Sequence, residues 1–369
     1  MESMVTNLFN NIYKNKTVLL TGHTGFKGSW MAFWLQKLGA NVIGYSLAPN
    51  TTPNHFDALQ FDFPSYIADI SNFSTLSKTF QTHQPEIVFH LAAQPLVRYS
   101  YENTLETYQT NVLGTANVLE CARQNKSVKA VVIVTSDKCY ENIETQKGYV
   151  ETDRMGGYDP YSASKGCAEL VTSSFRNSFF NNNDFGVKHE TLIASGRAGN
   201  VIGGGDWSID RLIPDLIKGA VKNHTTTIRS PKATRPWQHV LEPISGYLLL
   251  GQKLLEKNIS FAEGWNFGPA ENEVLTVEEV LHLAQKNWEK INFNIEINPN
   301  AVHEAKLLSL NCEKANEKIG WQPIWDNQTS IEKTIQWYKE FYNNHHLLTE
   351  NQLMEFIENA IAKKLIWTQ

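Results

Sequence analysis

The sequence predicts an α/β fold, a doubly wound parallel sheet followed by a smaller C-terminal α/β lobe. Three observations predict it: short β-branched runs alternate with helical stretches, a glycine-spaced turn follows the first run, and the rhythm breaks past Leu192. Thr17 to Thr21, Asn41 to Ser46, Ile87 to Ala92 and Ala130 to Thr135 read as strands, with Trp30 to Leu38 as the first crossover helix. In such sheets ligands gather at the carboxyl ends of the strands, which singles out Gly22, Ser46, Asp69, Ala92 and Thr135. After Leu192 comes a glycine-rich stretch, Gly196 to Gly205, and then a polar run ending in Arg235-Pro236-Trp237. The expected division is 1–192, with a returning segment near 236–265, for the first domain, and 193–235 with 266–369 for the second lobe. Thr276 to Glu279 has the form of a capping box ahead of an apolar-periodic run through Trp288.

Composition narrows the function. The 369 residues are 41% hydrophobic, enough for one large core or two joined ones. A net charge of −5 with no basic stretch speaks against nucleic acid or an anionic membrane as partner, so an anionic ligand must be held by local groups. Cys121, Cys139, Cys167 and Cys312 lie far apart without a CxxC pair, so no metal site or disulfide framework is expected and reduced thiols in a cytoplasm fit best. Met1 to Asn15 carries no signal pattern, and no window approaches the ~18 apolar residues of a spanning helix.

Gly22-His23-Thr24-Gly25-Phe26-Lys27-Gly28 follows the first strand and opens a helix, so its backbone can approach a pyrophosphate at the positive helix end. The second strand ends Gly44-Tyr45-Ser46-Leu47, without the acid that holds a ribose 2′-hydroxyl or an Arg for a 2′-phosphate. Asp69, ahead of Ile70, can be the N-cap of the next helix; the alternative, a contact to adenine, is what the family resemblance given below implies. Tyr161 and Lys165 stand four apart, on one face of a helix, where an ammonium favours the phenolate and equips the tyrosine as a base. Thr135, at a strand end, can donate a hydrogen bond to the oxygen that exchanges the proton. Asn111 can be a structural residue that kinks its own helix; the alternative, a place in the catalytic set, is what the family resemblance given below implies. Asp137 and Lys138 follow Thr135 directly and add two ionisable groups that a simple hydride-transfer site does not need.

The GxxGxxG spacing and the Thr135, Tyr161, Lys165 and Asn111 set resemble the extended short-chain dehydrogenase/reductase family of NAD-dependent epimerases and dehydratases. The run Thr135-Ser136-Asp137-Lys138-Cys139-Tyr140 is similar to its CDP-glucose 4,6-dehydratases, where dTDP-glucose enzymes read Asp-Glu. So are His90-Leu91-Ala92-Ala93-Gln94-Pro95-Leu96-Val97-Arg98, Gly157-Tyr158-Asp159-Pro160-Tyr161-Ser162 and Arg235-Pro236-Trp237-Gln238-His239-Val240-Leu241-Glu242-Pro243.

The resemblance implies a Rossmann-type domain that retains NAD and a lobe that binds a nucleotide sugar, CDP-glucose. NAD would take hydride from C4 of the sugar and return it to C6, making the enzyme a hydro-lyase. Carried over, Gly22, Thr24, Gly25, Phe26, Lys27, Gly28, Asp69, Ile70, Leu91, Ala92, Ala93 and Asn111 meet the cofactor, together with Tyr161 and Lys165. Tyr161 is the C4 base, Lys165 tunes it, Thr135 orients the substrate and Asp137 is the acid at C6. Lys138 is the C5 base or its helper, against the alternative of an ion pair with Asp137 or Glu141. Asn200, Arg235, Gln94 and Arg98 are the substrate contacts, with Asn200 otherwise satisfying its own turn. Trp237 and His239 either meet the base or pack a lobe junction. The subfamily pairs through helices near Leu105 to Cys121 and Tyr161 to Phe179, which implies a homodimer or homotetramer.

Overall fold

Seven parallel strands form the centre of the computed structural model, which describes residues 7–145, 147–270, 275–296 and 308–369. They are β1 (Thr17–Thr21), β2 (Asn41–Ser46), β3 (Ser65–Ile67), β4 (Ile87–His90), β5 (Ala130–Val134), β6 (Leu192–Ala198) and β7 (Gly264–Phe267). Their spatial order is β7-β6-β5-β4-β1-β2-β3, and every neighbouring pair is parallel. The order reverses direction between β1 and β4, which opens a crevice at their carboxyl ends. β4 and β5 are buried along their whole length because helices cover both sheet faces, and this is why Ala130–Val134 is apolar without alternation. Alternate residues feed separate cores: Val132 and Val134 face one, Val131 and Ile133 the other.

The first core takes in α1 (Phe26–Lys37) and the C-terminal helices; the second takes in α2 (Phe73–His83), α3 (Gly114–Gln124) and α4 (Pro160–Ser178). Asp159 caps α4 by accepting from the Ser162 amide, and Pro160 occupies the first turn, where its missing N–H costs nothing. The boundary expected at 192 falls at the start of β6, which pairs with β5 as far as Gly196. The glycine-rich reading failed there because Gly196 is a packing residue: a Cβ on it would lie 2.7 Å from the Tyr247 ring. β7 is the sheet's edge strand beside β6.

Between and beyond these strands lie α5 (Leu212–Lys222), α6 (Leu241–Leu255), α7 (Val277–Asn287), α8 (Asn327–Asn344) and α9 (Thr349–Ala362). Thr226–Ile228 pairs with Phe293–Ile295, and Thr234–Arg235 with Leu275–Thr276. The capping box is present at α7: Thr276 Oγ1 accepts from the Glu279 amide while Glu279 accepts from the Thr276 amide. Among the described residues no helix is long and apolar enough to cross a membrane.

Three buried histidines join the layers. His55 bonds Ser29 and Thr349, His90 bonds Thr21 and Thr115, and His239 packs edge-on to Trp30 and Trp325. Burial lowers each of them to about 3. Since the unfolded chain protonates near 6.5 and the folded one does not, stability is complete above that pH and falls as the pH drops from there toward 3. Urea titrations are expected to show a loss of about 2 kcal/mol per histidine between pH 7 and pH 5. A flat profile over that interval would contradict neutral burial.

Candidate active site

The glycine turn is built by exclusion of side chains. Gly22 has φ +76°, and a Cβ on it would stand 2.7 Å from the Ala92 amide; at Gly28 one would stand 2.0 Å from the Gly22 carbonyl oxygen. The turn therefore packs directly on the end of β4 and on α1, and the first residues of α1, which have no side-chain cap, border the crevice. Thr24 Oγ1 donates to the Leu47 carbonyl and bonds Ser46 Oγ, tying the turn to the end of β2. The His23 ring covers Gly44, where any Cβ would meet it at 2.5 Å. This cradle fits a dinucleotide pyrophosphate.

Asp69, Ile70, Leu91, Ala92 and Ala93 border the same groove, whose volume is about 890 Å³. Asp69 is not the helix cap: Asn72 accepts from the Thr75 amide, whereas Asp69 accepts from Ser71. Phe26 and Lys27 also border the groove, and the Lys27 side chain runs inward to within 3.5 Å of the Tyr247 hydroxyl. Burial, then the nearby charges of Lys165 and Arg211, lowers Lys27 to about 7.

On α4 Tyr161, Lys165 and Glu169 repeat at intervals of four, so one helix face carries all three into the sheet. Lys165 Nζ donates to the Val134 carbonyl at 3.4 Å, and burial lowers it to about 8. The expected shift of Tyr161 toward neutrality is not what its surroundings produce. Burial pushes it up to about 12, with a hydrogen bond to Ser136 as the largest opposing influence. The hydroxyl beside Tyr161 is therefore Ser136.

Thr135 borders the groove, yet its hydroxyl is turned the other way, donating to Glu169 Oε1 at 2.5 Å. A carboxylate only accepts, so that proton is committed and Thr135 is not the donor expected for the reacting oxygen. The alternation of the strand explains the error: Thr135 continues the Val131 and Ile133 face toward α4, and the next residue turns to the groove. Glu169 also accepts from Ser195 at 2.7 Å and from Arg197 at 2.9 Å, and these donors hold its carboxyl below the usual range against burial. Arg197 reaches on to the Tyr140 hydroxyl.

Asp137 is 2% exposed; its Oδ1 accepts from Ser136 at 2.8 Å, and its Oδ2 has no protein partner. Gly199 faces that oxygen, where a Cβ would stand 2.7 Å from it. Lys138 borders the groove and has no ion pair among the described residues, while Glu141 pairs with Arg154 at 3.2 Å. The ion-pair alternative for Lys138 thus does not form.

Two expected contacts lie outside the groove. Gln94 spends its side chain on Leu96 and Thr107, and Asn111 spends its own on the Gln94 backbone and Ser164, within the widened turn Gln109–Leu113. Both are consumed as local cross-links. Arg98, Asn200 and Arg235 border the groove; Arg98 pairs across it with Asp210 at 3.1 Å. His239 is core, in keeping with a packed junction, and Trp237 is buried at the groove wall. Arg211 was not anticipated. It follows a polar loop, bonds Asp206 at 2.8 Å and lies near enough to Tyr161 to lower it. Only its place just before the helix start at Leu212 could have suggested it.

A family model described as GDP-mannose 4,6 dehydratase matches residues 19–334. The chain is 48% identical over 340 residues to the CDP-glucose 4,6-dehydratase of Salmonella typhimurium, covering 92% of this chain and 94% of that protein. It is similar in structure to an epimerase from Methanothermobacter thermautotrophicus, with a TM-score of 0.79, 24% identity and coverage of 95% and 98%. A dTDP-glucose 4,6-dehydratase from Bacillus anthracis, solved in complex with NAD, matches with a TM-score of 0.73, 20% identity and coverage of 89% and 98%. Those two structures bear on the fold.

The Glu169–Arg197 pair behind the site yields a stability test. Arg197→Met strands a buried carboxylate and is expected to cost roughly 3–5 kcal/mol by urea unfolding, while adding Glu169→Leu recovers much of it. A single-variant cost below about 1 kcal/mol would mean the pair is not desolvated in solution.

Proposed function

The chain belongs to the GDP-mannose 4,6 dehydratase family, and on that premise we propose that it converts CDP-glucose to CDP-4-dehydro-6-deoxyglucose, with NAD retained on the glycine turn. The observation that carries the reading is Asp137: a buried carboxylate oxygen without a partner, next to Ser136 and through it to Tyr161, with Lys138 following. A 4-epimerase needs no acid and base there. The 48% identical relative supports the choice of CDP-glucose.

NAD bound at the turn supplies the hydride acceptor for C4 and the hydride donor for C6. The chain's own groups handle the protons. Tyr161 takes the C4 hydroxyl proton. Its raised position, about 12, means that it needs added positive charge beside it, and Lys165 keeps an ammonium four residues away. Once C4 is a ketone, the C5 proton is acidified and Lys138 removes it, while Asp137 Oδ2 protonates the C6 oxygen as it leaves as water. Lys138 then returns a proton to C5. Arg235, Asn200 and Arg211 border the groove, which supports their holding the substrate diphosphate as local cations and donors in an acidic chain.

CDP-glucose mixed with the protein and then made alkaline is expected to develop the ultraviolet absorbance of a 4-keto sugar. Absorbance with dTDP-glucose or GDP-mannose instead would reassign the substrate. Asp137→Asn is expected to reduce NAD slowly yet lose product formation by roughly 10²–10⁴-fold; unchanged turnover removes the acid role.

The assembly belongs to the same proposal. Leu105, Leu113 and Leu170 are 84%, 58% and 59% exposed on neighbouring helices, an apolar face that a second copy of the chain would cover. Sedimentation is expected to give a dimer or larger assembly for the native chain, and a monomer when Leu105→Asp and Leu170→Asp are combined. A native monomer would defeat the pairing.

A further inference from the structure

We propose that Asp206 is a positioning residue for the substrate: it holds the Arg211 guanidinium at the groove in an orientation that receives the nucleotide-sugar diphosphate. The inference rests on the reading of the groove as a nucleotide-sugar site. It gives a task to the segment 203–211, of which that reading uses Arg211 alone.

Arginine reads a phosphate through a planar fork of N–H donors, but its long side chain loses rotamer freedom when it is fixed. A protein that fixes the fork before the substrate arrives removes that cost from binding. Arg211 Nη1 donates to Asp206 Oδ2 at 2.8 Å; Asp206 is 4% exposed, while the Arg211 side chain keeps 32% of its surface at the groove. The contact takes one donor of the guanidinium and leaves the rest of the fork for an oxyanion.

Asp206 is itself held against rotation. Its Oδ1 accepts from the Ser208 amide at 3.0 Å, so both carboxylate oxygens are committed. One hydroxyl on α8 fixes its backbone: Tyr338 Oη accepts from the Asp206 amide at 2.8 Å and donates to the Asp206 carbonyl at 2.5 Å. Ahead of Asp206 the chain is pressed onto rings, since a Cβ on Gly204 would lie 2.0 Å from Trp337, and one on Gly205, at φ +87°, would lie 2.5 Å from His55. Behind it Trp207 donates to the Tyr342 hydroxyl at 2.9 Å and packs against Trp337 and Phe341. Asp210, at φ +56°, then pairs with Arg98 at 3.1 Å. The aim of Arg211 is therefore set from α8, through Asp206.

A carboxylate beside a phosphate-binding arginine has two opposite effects. Its charge subtracts from the attraction for a dianion, and its geometry spares the cost of ordering the fork. If the charge effect dominated, removing Asp206 would tighten binding; if positioning dominates, removal weakens it. The sign of one measurement separates them.

Titration calorimetry of the NAD-loaded chain with CDP reads the site without turnover. Asp206→Asn keeps the shape and an acceptor for the Ser208 amide. It is expected to weaken CDP roughly tenfold and to raise KM for CDP-glucose by the same factor, with kcat within about twofold and NAD affinity unchanged. Tyr338→Phe frees the Asp206 backbone and should act in the same direction, which carries the test where Asp206→Asn does not fold. In an Arg211→Gln background, already weakened by roughly tenfold, Asp206→Asn should add nothing, because it acts through Arg211 alone. Unchanged or tighter CDP binding in Asp206→Asn overturns the inference. So does an equal loss in both backgrounds, or a parallel loss of NAD affinity, either of which marks a structural role. A native chain that binds CDP yet forms no 4-keto product overturns the dehydratase reading and leaves the Asp206 test standing; one that does not bind CDP overturns both.

Discussion

The site depends on one buried charge pair, Glu169 with Arg197, because it fixes α4 against β5 and β6 at the depth where catalysis would occur. Glu169 is the third member of the face that also carries Tyr161 and Lys165. Every donor that it takes, from Thr135, Ser195 and Arg197, locks that face in rotation and height. Such a pair is not an efficient source of stability, since desolvating two charges offsets most of their attraction. What it supplies is register. A helix held only by apolar contacts can slide by part of a turn at little cost, and a slide of that size would remove Tyr161 from Ser136.

The same economy of approach shapes the cofactor side. Gly22 and Gly28 bring three backbone segments closer than any side chain permits, so the pyrophosphate cradle is made of amides whose positions do not depend on rotamers. Thr24 then spends its hydroxyl on the end of β2, leaving the turn no freedom to close over itself. One side chain on this loop does face the chemistry, that of Lys27, which passes inward toward Tyr247 rather than out to solvent.

Much of this was legible in the sequence because it follows from periodicity and sterics. β1 and β2 end where their apolar runs end, the capping box at Thr276 forms, and the four-residue spacing of Tyr161 and Lys165 puts both on one buried face. The misreadings share one cause, a side chain's direction set by tertiary contact. Thr135 and Ser136 are adjacent hydroxyls, and only the position of Glu169 on a helix more than thirty residues away decides which of them meets Tyr161. Gln94 and Asn111 sit in a motif beside the groove, but they satisfy each other's neighbourhood because the widened turn at Gln109–Leu113 points Asn111 inward. Gly196 and Arg197 look like loop residues until Tyr247 and Glu169 are placed against them.

The cations beneath the groove tie recognition to reactivity. Lys27, Lys165 and Arg211 all border the groove, and burial lowers both lysines, Lys27 to about 7 and Lys165 to about 8, with the other two cations lowering Lys27 further. Packing like charges there costs stability, which the Asp206 carboxylate against Arg211 and the nearby Asp137 charge on Lys27 offset in part. An anionic diphosphate entering the groove relieves it directly, favouring the charged form of each lysine. A charged Lys165 is the state that favours removal of a proton by Tyr161. In the proposed reaction, an anion held in the groove would favour the charged Lys165 beside Tyr161.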